Sequence, residues 1–273
     1  MRIQVLIATM NQTDYSLLEK MNIGSDAVVV NQCDREGFCQ FDYNGYSITW
    51  IESKERGLSR SRNMAIKNAT GDILLLCDDD EILESNYVET ISKAYLECKD
   101  ADMIVFNLNL LDCTFKESLF DKPRRIKKRK TYGSVHLSFK RKSVVDNCIS
   151  FDVRFGTGSK MYLSCEDNLF GLEFSKKRLI RYTYPGIIGS VSYANSSWFT
   201  GYDERFFYDK GAFLVAGYSW KRHFYKWYYV LKFTKLSSLS SCQILKNLNR
   251  GMKGVKKGLN FNEYTEKFIK SKK

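Results

Sequence analysis

Ile73-Leu74-Leu75-Leu76-Cys77-Asp78-Asp79-Asp80-Glu81 is the stretch that decides the fold of this chain. Residues 73–77 form a short, continuous apolar run bounded by Gly71-Asp72 on one side and by acids on the other, the pattern of a strand covered on both faces. The four acids fall at its carboxyl end, where open α/β sheets place their ligands. Carboxylates crowded in this way repel one another unless a cation sits among them. Hard oxygen donors suit Mg²⁺ or Mn²⁺, ions whose coordination is usually completed by phosphate oxygens. A charge-favoured helix start is the competing reading, since acids favour a first helical turn and a helix-like stretch follows from Ser85.

Around this run, residues 1 to about 110 alternate strand-like and helix-like pieces at the short spacing of parallel βαβ units. Strands are expected at 3–8, 27–30, 47–51, 73–77 and 103–106. Leu58, Arg62, Ala65 and Ala69 recur at helical spacing, as do Val88, Ile91, Tyr95 and Cys98. This half reads as a nucleotide-binding α/β layer, yet no Gly-x-Gly-x-x-Gly follows its first strand and no phosphate-loop lysine motif occurs. Gly156-Thr157-Gly158-Ser159-Lys160 has the wrong order and spacing for one and reads as a mobile glycine turn. Later come a basic loop, a hairpin region expected at 132–145, and Cys165-Glu166-Asp167-Asn168-Leu169-Phe170, whose acids open a helix. The expected division is a catalytic-type domain over 1–210, with a nucleotide-binding half 1–110 and an acceptor-binding half 111–210, and a helical, aromatic and basic extension over 211–273.

Composition sets the bounds. With 273 residues and 44% hydrophobic content the chain can build a sizeable core. No uncharged apolar stretch reaches 18 residues and no signal-peptide pattern opens the chain, so a cytosolic location without a membrane span is expected. The eight cysteines never form Cys-x-x-Cys, and several lie inside apolar runs, which favours reduced structural thiols. The sequons at Asn68 and Asn195 are read as chance matches. A net charge of +12 calls for an anionic partner: nucleic acid, a phosphorylated small molecule or acidic lipid. Seven of the nine residues 122–130 are basic and 246–273 is lysine-rich, both away from the acid run.

Five features occur in one order: a first strand ending Thr9-Met10-Asn11; a second ending Asn31-Gln32-Cys33-Asp34; Gly57-Leu58-Ser59-Arg60-Ser61-Arg62-Asn63 opening a helix; the triple-Asp strand end; and Glu166-Asp167. That order resembles the family-two inverting glycosyltransferases of the GT-A fold over roughly residues 1–200, and Ser197-Trp198-Phe199 and Asp209-Lys210-Gly211-Ala212 resemble bacterial capsule and exopolysaccharide members. The resemblance implies a single GT-A-type α/β domain with a Rossmann-like, mostly parallel sheet. It also implies a nucleotide-sugar donor, a UDP-sugar by preference, with Mn²⁺ or Mg²⁺ as cofactor and a lipid-linked oligosaccharide as acceptor.

The roles it implies each meet a chemical need. Asp34 would accept from the uracil N3–H, an edge that must be paired when the base is buried. Thr9 and Asn11 would contact the nucleoside, and Arg62 would hold base or phosphate with its fork of donors, a helix-surface arginine being the alternative. Asp78 and Asp80 would hold ribose and metal, with Asp79 replacing Asp80 if the register shifts by one. The metal would neutralise the departing diphosphate. Asp167 would be the general base that takes the acceptor hydroxyl's proton, and Glu166 would hydrogen-bond the acceptor or shape the site. His136 and His223 receive no catalytic role.

Three rivals remain. A nucleotidyltransferase shares the layer and the strand-end acids, but Ala8-Thr9-Met10-Asn11-Gln12-Thr13 lacks the glycine and lysine that a triphosphate loop needs. A nucleic-acid module would use the aromatics and bases of 220–233, although the acid run would repel a polyanion, and no nucleic-acid partner is expected. A fold retained without activity as an assembly partner is the third. In the tail, Trp220, Phe224, Trp227 and Leu231 recur at helical spacing among Lys221, Arg222, Lys226, Lys232 and Lys235. The stripe suits an anionic membrane surface, hence a peripheral position on the inner face; the alternative is a helix packed on the catalytic domain.

Overall fold

In the computed structural model the described residues are 1–111, 119–127, 130–133, 137–192 and 201–270. His136, Lys128, Arg129, the sequon at Asn195 and Ser197-Trp198-Phe199 lie outside them. The chain divides into two compact units, Met1–Phe151 with Phe170–Asn195, and Asp152–Leu169 with Ser196–Lys273. The second unit therefore draws on sequence from both sides of residue 210.

The first unit contains β1 (Ile3–Met10), α1 (Leu17–Lys20), β2 (Asp26–Gln32), β3 (Gly37–Tyr43), β4 (Tyr46–Ser53), α2 (Leu58–Asn68), β5 (Ile73–Asp78) and β6 (Glu81–Leu83). After these come α3 (Tyr87–Glu97), β7 (Met103–Leu110), β8 (Arg124–Arg125), β9 (Leu137–Lys140), α4 (Arg141–Asp146), the later part of α5 (Glu166–Lys176) and β10 (Arg181–Val191). The strands form one mixed sheet in the order β3-β4-β2-β1-β5-β9-β7-β10-β6, with β8 beside β10. Its parallel core, β4-β2-β1-β5, is the layer that the apolar runs predict. Residues 73–77 are all buried because the sheet is covered on both sides. Val5, Ile7, Val29 and Leu75 pack with α1 and α3 residues such as Leu18 and Ile91. Leu6, Val28, Leu74 and Leu76 pack on the opposite side with Ala65, Val144, Phe170 and Phe174 of α2, α4 and α5.

The structure decides one reading that was open and departs from expectation elsewhere, β6, β8 and β10 among the unforeseen strands. The acids do not open a helix: β5 runs into Asp78, Asp79 and Asp80 form a turn, Glu81 begins β6, and α3 starts only at Tyr87. The described residues of 132–145 do not pair with one another as a hairpin. Leu137-Ser138-Phe139 is buried on both faces and runs antiparallel to β5 and β7, between them, and Arg141–Asp146 then turns helical. A strand flanked on both sides cannot be told from a hairpin arm by its own four residues. The edge strand β3, missed in the sequence, pairs with β4 through Asn44-Gly45, both at positive φ (54° and 84°), as a tight hairpin turn demands.

The second unit contains the first turn of α5, then α6 (Glu204–Gly217), α7 (Arg222–Phe233), α8 (Ser241–Lys256) and α9 (Phe261–Phe268). Phe207, Leu214, Val230, Phe233, Ile244 and Leu248 form its apolar core. The backbones of α6 and α8 touch: a Cβ at Gly211 would strike the Leu248 carbonyl and one at Gly251 the Tyr208 carbonyl, so both positions require glycine. Ser240 and Gln243 form a reciprocal capping box at the start of α8, which fixes where the chain turns into it. Among the described residues, Cys33, Cys39, Cys77, Cys98, Cys148, Cys165 and Cys242 carry free thiols, as the spacing implies.

Candidate functional site

Parallel packing of β1, β2 and β5 brings their carboxyl ends together, and with them Thr9, Asn31-Gln32 and Asp78. Each end is fixed by a buried polar group. The Asn31 side chain, fully buried, accepts from the Gln12 N–H (3.0 Å) and donates to the Gln12 carbonyl (2.9 Å), which sets the loop after β1. Asn11 in that loop adopts φ 55°, a left-handed conformation that asparagine tolerates, and its side chain is exposed. Gln32 Oε1 accepts from the Gly57 N–H at 2.7 Å and so anchors the start of α2. Asn63 of α2 exchanges two hydrogen bonds with the Phe151 backbone, 2.9 and 2.8 Å.

These supports hold a carboxylate row. Arg62 is no helix-surface arginine: it is 2% exposed, lies over the Phe151 ring at 5.4 Å, and donates to Asp78 Oδ1 at 2.6 Å. Thr9, also buried, donates its hydroxyl to Asp79 Oδ2 at 2.6 Å and accepts from Gln12 Nε2 at 2.9 Å. Its hydroxyl thus holds an aspartate rather than standing free for a nucleoside. Glu81 turns inward. Its Oε1 accepts the Asp78 N–H at 2.6 Å, its Oε2 is buried without a partner, and burial followed by the Asp78 charge pushes its carboxyl well above the usual range. The four-acid run is therefore three aspartates at the strand end and one buried glutamic acid beneath them. Asp80 keeps an exposed surface at the turn, yet its carboxyl is also pushed up, by loss of water around it and then by the charges of Asp78 and Asp79.

Asp34 is almost fully exposed, and its Oδ1 accepts from Arg56 Nη2 at 2.6 Å. An exposed pair of this kind is worth about 0–1 kcal/mol, so a ligand edge can displace it at little cost. Arg56 also donates to the Cys33 and Ser53 carbonyls, and so ties the end of β2 to the end of β4.

The donor set fits a hard divalent cation. Among the described residues no three or more His, Cys, Asp or Glu side chains form a cage. One or two carboxylates plus phosphate oxygens and waters are the mode in which Mg²⁺ is ordinarily held, and Asp78, Asp79 and Asp80 offer that.

Glu166 and Asp167 lie in the second unit, in the first turn of α5, with Glu166 buried. The segment that presents them is fastened from α6. Asp209 Oδ2 accepts from the Leu163 N–H at 2.9 Å, and Lys210 Nζ donates to Cys165 Sγ at 3.0 Å. Cys165 itself sits at φ 83°, a conformation rare for a residue with a side chain and held here by its surroundings. Only the Asp209-Lys210 motif in the sequence pointed to these supports, without disclosing their role.

Asp209 also makes a pH prediction. It is 2% exposed, and burial pushes its carboxyl from 3.8 up to about 6 despite the Leu163 N–H, Arg205 and Lys210, while Asp203 pushes the same way as burial. The folded chain then binds this proton more tightly than the unfolded chain. Its stabilisation is full below about pH 4 and is lost as pH rises through about 6, on the order of 3 kcal/mol in total. Urea midpoints between about pH 4 and pH 7.5 should fall with rising pH in the native chain, and much less in Asp209→Asn, which keeps an acceptor for Leu163. Parallel pH curves for the two would mean that the carboxyl is not held in its neutral form.

An open α/β layer whose parallel strands end in a buttressed aspartate row, with no phosphate loop, has its candidate site where such layers place their ligands. Residues 28–136 match the model of glycosyl transferase family 2. Among curated proteins, glycosyltransferase GlyA of Streptococcus pneumoniae serotype 4 is 31% identical over 116 residues, 39% of this chain and 16% of GlyA, so the chain spans about a sixth of that relative. Among solved structures, S. aureus TarS 1-349 in complex with UDP-GlcNAc superposes with a TM-score of 0.59 at 15% identity, covering 98% of this chain and 76% of TarS 1-349. The same TarS fragment in complex with UDP gives 0.56 at 16% identity, covering 97% and 78%. The fold is the GT-A type, as the motif order implied.

Proposed function

We propose that this chain is a metal-dependent, inverting glycosyltransferase that moves a sugar from a nucleotide-sugar, by preference a UDP-sugar, to a saccharide acceptor. The observation that supports it most is the aspartate row at the end of β5, which lies inside the stretch that matches the family and is clamped by Arg62 from within that stretch and by Thr9 from before it. Asp34 binds the base edge in exchange for Arg56, and Asn11 lies on the neighbouring loop against the nucleoside. Asp78 and Asp80, or Asp79 in the shifted register, would hold Mn²⁺ or Mg²⁺ and the ribose. Arg62 fixes Asp78, and through it the row, instead of reaching the phosphate itself. When bound, the cation neutralises charge on the departing nucleoside diphosphate.

In the transfer, Asp167 takes the proton from an acceptor hydroxyl as its oxygen attacks the anomeric carbon. The bond to the nucleoside diphosphate breaks, the diphosphate leaves with the electron pair, and the configuration inverts. Glu166 shapes the acceptor side. A place in bacterial surface-polysaccharide synthesis, with a lipid-linked oligosaccharide as acceptor and an anionic membrane surface as a further partner, completes the proposal. No helix among the described residues is long and apolar enough to cross a membrane; the membrane contact proposed is a peripheral one, on the cytoplasmic face.

TarS, whose structure is known with UDP-GlcNAc, makes UDP-sugars the first donors to try. Release of nucleoside diphosphate should be followed across UDP-, GDP- and dTDP-sugars with and without Mn²⁺. Turnover of a UDP-sugar that depends on the metal is expected. Binding of UDP without turnover of any sugar would point instead to a retained fold serving as an assembly partner. Turnover of a nucleoside triphosphate with a sugar phosphate would restore the nucleotidyltransferase reading.

A further inference from the structure

Helix α7 has two apolar sides, and only one is used inside the protein. Val230 and Phe233 are buried in the core of the second unit, and Tyr225 and Tyr229 pack against it. On the other side Phe224, Trp227, Tyr228 and Leu231 follow one another at helical spacing, with Trp220 in the turn just before the helix and Leu236 just beyond it; Trp220, Phe224 and Leu231 are 73%, 71% and 77% exposed. Single exposed apolar residues are ordinary, but a continuous stripe of large ones marks a surface that meets something.

Charge identifies what it meets. From Lys210 to Asn262 the chain has eleven lysines and arginines and not one aspartate or glutamate, which accounts for nearly all of the +12 net charge. Lys221 lies 5.2 Å over the Trp220 ring and Lys226 5.7 Å over Trp227, so cations flank the stripe itself. A second copy of the chain would bring two acid-free faces together, which like charges oppose. Aliphatic Leu231 and Leu236 offer nothing to a nucleic-acid base, whereas tryptophan, tyrosine and lysine around an apolar stripe match the headgroup level of a bilayer.

We infer that the outer face of α7, from Trp220 to Leu231, docks the protein on an anionic lipid surface. The inference deepens the membrane part of the proposal above by naming the surface, and it is independent of the transfer chemistry. Trp220 and Trp227 lie in the acyl–headgroup boundary, and Lys232 and Lys235 face the lipid phosphates.

The full chain is to be sedimented with phosphatidylcholine vesicles containing either no phosphatidylglycerol or about 30% of it, at about 50 mM and about 500 mM salt. The native chain is expected to sediment with the anionic vesicles, and roughly tenfold or more less tightly at the higher salt. Combined Phe224→Ser, Trp227→Ser and Leu231→Ser should weaken binding at both salts by roughly tenfold or more, since it removes apolar area that is already exposed in the free protein. Lys232→Gln with Lys235→Gln should weaken it only at low salt, by about fivefold per lysine. Unchanged far-UV circular dichroism and urea midpoints establish that the variants fold, and quenching of native tryptophan fluorescence by brominated lipid reads insertion with no variant at all. A native chain that stays in the supernatant at low salt, binding indifferent to the triple serine variant, or a single-stranded oligonucleotide that binds tightly and shields the tryptophans while anionic vesicles do not, would each overturn the inference. Turnover of a nucleotide-sugar with a soluble acceptor is measured in parallel, so a failure here leaves the transferase reading standing.

Discussion

Asp167→Asn is expected to leave donor binding intact and to lower sugar transfer by roughly two to four orders of magnitude, the range for losing a positioned general base. The substitution preserves shape and a hydrogen-bonding oxygen and removes basicity. Asp167 also stands in the first turn of α5, where an acid interacts favourably with the helix N-terminus. That interaction is typically worth about 0.3–1 kcal/mol, too little to account for a loss of this size through stability. UDP affinity by calorimetry, the thermal midpoint and single-turnover transfer should be measured on the same preparation. Near-normal transfer would reduce Asp167 to a helix-start residue, and loss of UDP affinity together with transfer would show that the substitution disturbs the donor side.

Asp80→Ala, or Asp79→Ala in the shifted register, is expected to abolish the metal-dependent part of UDP binding, and the two roles of an acid at this turn predict opposite side effects. An aspartate kept for structure would cost stability when removed. An aspartate kept for a cation should do the reverse in the absence of metal, because Asp80 stands among the like charges of Asp78 and Asp79 and its loss relieves their repulsion. Asp79→Ala also gives up the bond from Thr9, so a modest loss of stability, about 1 kcal/mol, is expected there. Asp78 is a poor choice for this test, since its removal takes away a carboxylate to which the buried Arg62 guanidinium donates. Calorimetric titration of UDP with and without Mn²⁺, beside urea midpoints of the metal-free chain, reads both effects. Unchanged metal-dependent affinity in both variants would remove the cation from this strand end.

Much of the first unit was legible because its signals are local. Ile73 to Cys77 is apolar at every position, and only a strand covered on both faces makes use of that, so β5, together with β1 and β2, could be placed from composition and turn residues alone. The helical spacing of Leu58, Arg62, Ala65 and Ala69 located α2 in the same way. The stripe on α7 also followed from spacing; that side is exposed, while Val230 and Phe233 on the other are buried within the second unit. Asn44-Gly45 carried a clear hairpin signal for β3 that the alternation Phe38, Gln40, Asp42 against Cys39, Phe41, Tyr43 was too mixed to reinforce.

What the sequence determined by itself was the alternation of strand and helix, the placing of three aspartates at a strand's carboxyl end, and a tail with a large excess of positive charge, because periodicity and charge are written residue by residue. The tertiary structure alone decided which groups hold those aspartates. Thr9 and Asp79 are 70 residues apart, Asn63 and the Phe151 carbonyl 88, and no local pattern joins them. It also decided that β9 enters between β5 and β7, that Arg62 is buried on Asp78, and that Glu81 turns inward beneath the row. The physical reason is that a buried polar group must find a partner wherever the packed chain supplies one, and that choice is made by the register of the whole sheet, which sequence neighbours do not encode.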